Sequence, residues 1–119
     1  MSARRKPILL VEDDALLALD LADLLTEAGY EVCDPAGSND VARRVIERDR
    51  PAFALLDYNL GNETSIPTAI ELAQRAIPFA YVTGRAEAIS TNPLAPSAPV
   101  ISKPYRPDEI LRAIAAMDA

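Results

Sequence analysis

The sequence predicts an α/β fold in which a parallel sheet is covered by helices on both faces. Two observations lead there. Short, wholly apolar runs at residues 8–11, 52–56 and 79–82 alternate with longer amphipathic stretches. Continuous apolar runs are what strands buried on both faces require, and alternation of such strands with helices gives parallel rather than antiparallel pairing. The chain has 119 residues, the size of one ordinary domain, so a single domain spanning 1–119 is expected.

Residues 8–11 form the first strand. Asp14 is placed to cap a helix over 15–28, with Leu17, Leu21, Leu24, Leu25 and Ala28 as its inner stripe and Gly29 as its terminator. Residues 30–33 read as a short second strand. Ser38 is placed to cap a second helix to Asp49 that turns Val41, Val45 and Ile46 inward. Pro51 breaks the chain before the third strand, 52–56, which ends at Asp57. Residues 59–62 read as a loop around Gly61, and a third helix runs from Ser65 or Thr68 to Ala76. The fourth strand, 79–82, is stopped by Thr83 and Gly84, and Val100 and Ile101 make a short fifth. Pro107 suits the first position of the last helix, and Asp108 and Glu109 favour its positive end. Ile110, Leu111, Ile114 and Met117 share one side of it. Right-handed crossovers through five strands give a doubly wound, flavodoxin-like sheet of order 2-1-3-4-5.

One stretch breaks the rhythm. A helix is due between strands four and five, and residues 85–90 allow only one or two turns. Prolines then stand at 93, 96 and 99. They forbid a helix and favour an extended path, so the fourth helix is expected to be short or disordered. The segment reads as a surface connector, with a proline-motif ligand for an adaptor domain as a weaker alternative.

Composition narrows the function. Half of the residues are hydrophobic and a quarter charged, which excludes a disordered chain and supplies one core. The apolar runs are too short for a transmembrane helix. Arg4, Arg5 and Lys6 precede the first strand, but only four apolar residues follow before Glu12, too few for a secretory signal. The basic start is read as solvating the approach to that strand. Twelve basic against eighteen acidic residues give a net charge of -6, which argues against direct nucleic-acid binding. A lone cysteine, Cys33, excludes an internal disulfide and fits a cytoplasmic setting. Without histidine, the chain lacks Ser-His, Cys-His and His-metal chemistry, so any metal must be a hard cation held by oxygen: magnesium, calcium or manganese.

In such sheets, ligands sit beyond the carboxyl ends of the strands, where the strand order reverses. Strand one ends in Glu12, Asp13 and Asp14, and the adjacent strand three ends in Asp57. Parallel neighbours lie about 4.8 Å apart, so these carboxylates converge. They repel one another, and a divalent cation relieves the repulsion. Asp14 reads as the helix cap. Thr83 and Gly84 end strand four, and Ser102 and Lys103 end strand five, bringing a hydroxyl and an ammonium to the same edge. A carboxylate nucleophile, a metal, a hydroxyl and a lysine together match phosphoryl transfer: metal and lysine neutralise the phosphoryl oxygens, the hydroxyl adds a hydrogen bond, and Gly84 leaves room.

Four motifs carry a resemblance: Leu10-Val11-Glu12-Asp13-Asp14, Leu55-Leu56-Asp57-Tyr58-Asn59-Leu60, Val82-Thr83-Gly84 and Lys103-Pro104-Tyr105. With them the chain resembles, over essentially its whole length, the receiver domain of bacterial two-component response regulators. The resemblance implies that Asp57 is the phosphoacceptor, supplied by a sensor histidine kinase or a phosphotransfer protein. It implies that Asp13 and Asp57, with the backbone carbonyl of Asn59, bind Mg2+, with Mn2+ as a substitute and Glu12 acting through water. Lys103 would pair with the phosphoryl group and Thr83 would move to bond it. Tyr105 matches the aromatic switch position, and Lys103-Pro104 is a candidate cis bond.

Residues 77–84, Ile-Pro-Phe-Ala-Tyr-Val-Thr-Gly, also resemble the signature of the alphaproteobacterial "FAT GUY" receivers. These are often stand-alone, are associated with HWE-type or related kinases and general stress signalling, and can lack an ordered fourth helix. The chain departs from that signature at Tyr81 and at Arg85, where a tyrosine is expected. Arg85 reads either as a contact to the phosphoryl group or its attacking water, or as a solvated loop residue. The expected action is a two-state switch: phosphorylation of Asp57 biases Tyr105 and the 85–99 segment, and thereby the binding of a downstream partner. Two rival readings remain: a receiver-like module that binds without phosphorylation, and a small aspartyl-nucleophile phosphohydrolase. The second wants an acid two residues after its nucleophile, where this chain has Asn59.

Overall fold

A computed structural model describes residues 7–118, so the basic start lies outside the described residues. The elements are β1 (Pro7–Val11), α1 (Ala15–Glu27), β2 (Glu31–Val32), α2 (Asn39–Asp49), β3 (Phe53–Leu56), β4 (Asn59–Leu60), β5 (Glu63–Thr64), α3 (Ile66–Gln74), β6 (Phe79–Thr83), α4 (Ala86–Ser90), β7 (Val100–Ser102) and α5 (Pro107–Asp118). The main sheet is parallel, in the order β2-β1-β3-β6-β7, which is the doubly wound order expected.

Alternation along the strands divides the core between the two faces of the sheet. Leu9, Val11, Ala54, Leu56 and Tyr81 pack with Ala42, Val45 and Ile46 of α2, Leu72 of α3 and Ile89 of α4. Ile8, Leu10, Phe53, Leu55, Ala80 and Val82 pack on the other face with Leu21 and Leu25 of α1 and Ile110 and Ile114 of α5. Asp14 caps α1 by accepting from the backbone N–H groups of Leu16 and Leu17, and Ser38 caps α2 by accepting from that of Val41. Gly29, at φ 97°, takes the left-handed position that ends α1.

Several elements differ from the sequence reading. Ala18 is buried and Ala28 exposed, so the stripe of α1 sits further back than expected. In α2, Val41 faces outward at 37 % exposure while Ala42 is fully buried. The small residue lets the helix approach the sheet, and the β-branched one lies at the margin of the face. The expected loop over 59–62 is a two-stranded antiparallel hairpin, with Asn59 opposite Thr64 and Leu60 opposite Glu63. Gly61, at φ 71°, makes its turn possible.

The fourth helix is short: five residues. The chain after it begins as a turn rather than an extended run. Asn92 closes that turn, its side-chain oxygen accepting from the backbone N–H of Leu94 at 2.9 Å and its carbonyl from that of Ala95 at 3.1 Å. Two bonds then tie the remainder to β6. The Tyr81 hydroxyl donates to the Pro96 carbonyl at 3.0 Å, and the Tyr81 backbone N–H to the Pro99 carbonyl at 2.9 Å. Ala95 and Ala98 cover the core where a longer helix would otherwise lie.

Cys33 is buried at the end of β2. Burial first, and then the neighbouring Asp49, push its thiol from an ordinary 9.0 up to about 12. The folded chain therefore keeps a proton that the unfolded chain releases. This contribution to stability is complete below about pH 9 and is lost as pH rises from there towards 12. Alkylation of Cys33 by iodoacetamide at pH 8 should be slow in the native protein and accelerate in step with urea unfolding. A labelling rate that is already fast in native buffer would contradict the buried thiol.

Candidate functional site

The register builds the site. Val11 lies beside Leu56 and Leu56 beside Tyr81, so the next residues, Glu12, Asp57 and Val82, reach one edge together. Thr83 lies beside Ser102, which puts Lys103 one residue past the end of the neighbouring strand. Backbone bonds from Glu12 N–H to the Ala36 carbonyl, Asp57 N–H to the Val11 carbonyl and Lys103 N–H to the Thr83 carbonyl, all 2.8 Å, carry the ladder into these residues.

One carboxylate oxygen from each of Glu12, Asp13 and Asp57 lies within 4.8 Å of the others. The Lys103 ammonium bridges two of them, donating to Glu12 Oε1 and to Asp57 Oδ2 at 2.9 Å each. Glu12 is buried, and its second oxygen accepts from the Asp14 N–H at 3.1 Å. Burial pushes the Glu12 carboxyl up and the Asp57 charge adds to it, while the bonds from Lys103 and Asp14 hold it partly down. For Lys103, burial works against the ammonium, but hydrogen bonds to Asp57 and Glu12 and their charges outweigh it and leave its pKa raised. Both effects describe one arrangement: excess negative charge with a single cation seated in it.

The other candidate residues surround this cluster. Thr83 is buried, and its Oγ1 accepts from the Arg85 N–H at 3.0 Å. Gly84 is exposed, and a Cβ there would meet nothing within 4 Å. The Asn59 N–H donates to Asp57 Oδ1 at 3.4 Å. The Lys103–Pro104 bond is cis. Tyr105 is half-buried against the α1 and α5 side of the core and, with Leu17, Asp20, Lys103 and Pro104, lines a surface pocket. Arg85 is exposed, and its guanidinium makes no ion pair among the described residues. The structure thus brings Glu12, Asp13, Asp57 and Lys103 into contact, sets Thr83 and Gly84 on the adjoining strand, and leaves Tyr105 and the Arg85 side chain outside the cluster.

Sequence reasoning overlooked Tyr58. It is buried beside Asp57, and its hydroxyl accepts from the Asn92 side-chain N–H at 3.0 Å. The residue after Asp57 is thereby bonded to the same side chain that closes the turn after α4. An aromatic residue directly after a strand-end aspartate was the available signal.

The donor set suits a hard divalent cation. Three carboxylates from two adjacent strand ends supply oxygen alone, at spacings a cation can bridge, with excess negative charge to neutralise. No helix among the described residues is long and apolar enough to cross a membrane.

Comparison with known proteins gives a family model and several relatives. The family model described as "Response regulator receiver domain" matches residues 8–115. Among curated proteins, the transcriptional regulatory protein PdtaR of Mycobacterium tuberculosis is 34 % identical over 77 residues, 64 % of this chain and 38 % of that protein. The phyllosphere-induced regulator PhyR of Methylorubrum extorquens is 29 % identical over 106 residues, 87 % of this chain and 40 % of that protein. The chain therefore spans less than half the length of the curated relatives it matches. Among solved structures, SdrG from Sphingomonas melonis is 35 % identical, with each chain fully covered and a TM-score of 0.80.

Removing the bridging cation should expose the repulsion. In metal-free buffer, Lys103→Met should lower stability by about 2 kcal/mol, less than the loss of a fully buried partner, because Lys103 keeps some solvent contact. Asp13→Asn should instead raise the urea midpoint by relieving repulsion. Shifts of the same sign in both variants would contradict the charge balance described.

Proposed function

The chain belongs to the response regulator receiver domain family, the signalling modules of two-component systems rather than enzymes, and on that premise we propose that it is a phosphoacceptor switch. Asp57 is the acceptor. One of its carboxylate oxygens bonds to the phosphorus as the phosphorus–nitrogen bond of a donor phosphohistidine breaks, and the imidazole leaves neutral, keeping the proton already on its other ring nitrogen. The donor is a sensor histidine kinase, of the HWE type on the subgroup likeness, or a phosphotransfer protein. Asp13, Asp57 and the Asn59 carbonyl would hold Mg2+, with Glu12 contributing through water. When bound, the ion supplies the charge neutralisation that lets an anionic phosphoryl group approach three carboxylates.

The observation that carries this reading is the bridge from Lys103 to Glu12 and Asp57. It holds a cation at the acceptor oxygen, ready to transfer to phosphoryl oxygens when they arrive. Thr83, now accepting from Arg85, has a hydroxyl proton to offer the same group. Its rotation, with movement of Tyr105, would relay the new charge. Tyr58 gives a second connection, through Asn92, to the 85–99 segment. The setting is cytoplasmic, and the output is contact with a downstream protein. The solved PhyR of Bartonella quintana is described as an anti-anti-sigma factor. A stress-signalling role of that general kind, and membership of the "FAT GUY" subgroup, are the readings most in keeping with residues 77–84.

Incubation with acetyl phosphate followed by intact-mass measurement tests this directly. One phosphoryl adduct is expected, dependent on magnesium and absent in Asp57→Ala. No adduct and no binding of beryllofluoride would favour a phosphorylation-independent module, and turnover of small phosphoesters would favour a phosphohydrolase. Asn92→Ala should still form the adduct, while the amide chemical shifts of residues 91–99 should respond less to beryllofluoride than in the wild type.

A further inference from the structure

Asn39, the first residue of α2, joins that helix to β5 and α3. Its side-chain N–H donates to the Thr64 carbonyl at 2.8 Å. Its side-chain oxygen accepts from the Thr68 hydroxyl at 2.6 Å and from the Thr68 N–H at 3.3 Å. Its own backbone N–H donates to Glu63 Oε2 at 3.1 Å. Thus α2 grips both residues of β5 and the first turn of α3.

The hairpin held in this way bonds to one of the three carboxylates and runs close to a second. Thr64 is the cross-strand partner of Asn59, whose N–H reaches Asp57 Oδ1. At the tip, Gly61 approaches Asp13 so closely that a Cβ there would lie 3.6 Å from Asp13 Oδ2. Two strands of two residues each have little stability of their own, so the hairpin takes its position from outside contacts. Asn39 supplies the contact to the strand opposite Asn59.

We propose that Asn39 is a positioning residue for the divalent-cation site: by fixing the β4–β5 hairpin, it fixes the backbone wall that orients Asp13 and Asp57. This rests on the magnesium reading above. It reaches further, because Asn39 bonds to neither carboxylate and lies on α2, away from the strand ends that carry them. Partners bonded directly to metal ligands change metal affinity by about 10- to 100-fold, and Asn39, one contact further out, is expected at the lower end. They matter most for magnesium, which needs a near-ideal octahedron, and less for calcium, which accepts irregular geometry.

Calorimetric titration with magnesium chloride and with calcium chloride tests the proposal on the wild type, Asn39→Ala and Asn39→Asp. For Asn39→Ala the magnesium dissociation constant should rise about tenfold, with a smaller change for calcium. Asn39→Asp is the control for folding and charge. Its carboxylate suits a helix first turn and still accepts from Thr68, but it cannot donate to the Thr64 carbonyl. A charge effect alone would tighten magnesium binding in this variant, whereas the positioning role predicts weaker binding. Should Asn39→Ala fail to give a cooperative melt, Asn39→Asp carries the test. Wild-type magnesium affinity in Asn39→Ala, equal losses for both ions, or tighter magnesium binding in Asn39→Asp would each overturn the inference while leaving the magnesium reading intact. A wild type that binds no magnesium would overturn the reading and the inference together.

Discussion

Three carboxylates held within 4.8 Å of one another are the constraint on which the rest of this molecule depends. Left to themselves such groups tend to move apart. Here two of them are held in place. Glu12 and Asp57 continue adjacent strands whose residues are almost wholly buried, so moving either apart would disturb the sheet. Lys103 enters from β7, two strands away from Asp57, and closes the cluster with two 2.9 Å bonds. The sheet thus supplies rigidity, and the lysine makes the concentration of charge tolerable. A site that concentrates charge in this way responds strongly to any added or removed charge.

The backbone path and the strand-end cluster were largely legible in the sequence because both follow from short-range patterns. Continuous apolar runs mark buried parallel strands, and the residue that ends each run is by topology a residue of the switch edge. Asp14, Ser38 and Gly29 act as caps and terminators for purely local reasons. What escaped the sequence depends on contacts between distant residues. Val41 and Ala42 are both apolar, and only the closeness of α2 to the sheet decides which is buried. The hairpin after Asp57 has too few residues to show a strand pattern, and its bond to Asn39 spans 25 residues from Thr64. Tyr58 and Asn92 are separated by 34 residues, and neither carries a local signal of the other.

Those distant contacts converge on the two segments that flank the acidic edge. One side of it is held by α2 through the hairpin. The other is held by Tyr58 and Tyr81, which pin the chain after α4 at Asn92, Pro96 and Pro99. A regular fourth helix would satisfy its own backbone groups and respond to the site as a rigid rod. The segment present here relies on a few hydrogen bonds to Tyr58, next to Asp57, and to Tyr81 on the strand beside it. Its arrangement is therefore set from the site outward.

The two margins of the sheet have a consequence for how this protein meets others. β2 contributes two residues to one margin and β7 three to the other, and the chain on either side of β7 carries Pro99 and Pro104. The ladder to β6 runs from the Pro99 carbonyl to the Lys103 N–H, and Pro104, which brings no N–H, ends it there. Short, proline-bounded margins resist the addition of foreign strands, and with it both amyloid-like stacking and strand exchange. Recognition is left to side-chain surfaces, where single substitutions can alter the choice of partner without touching the sheet.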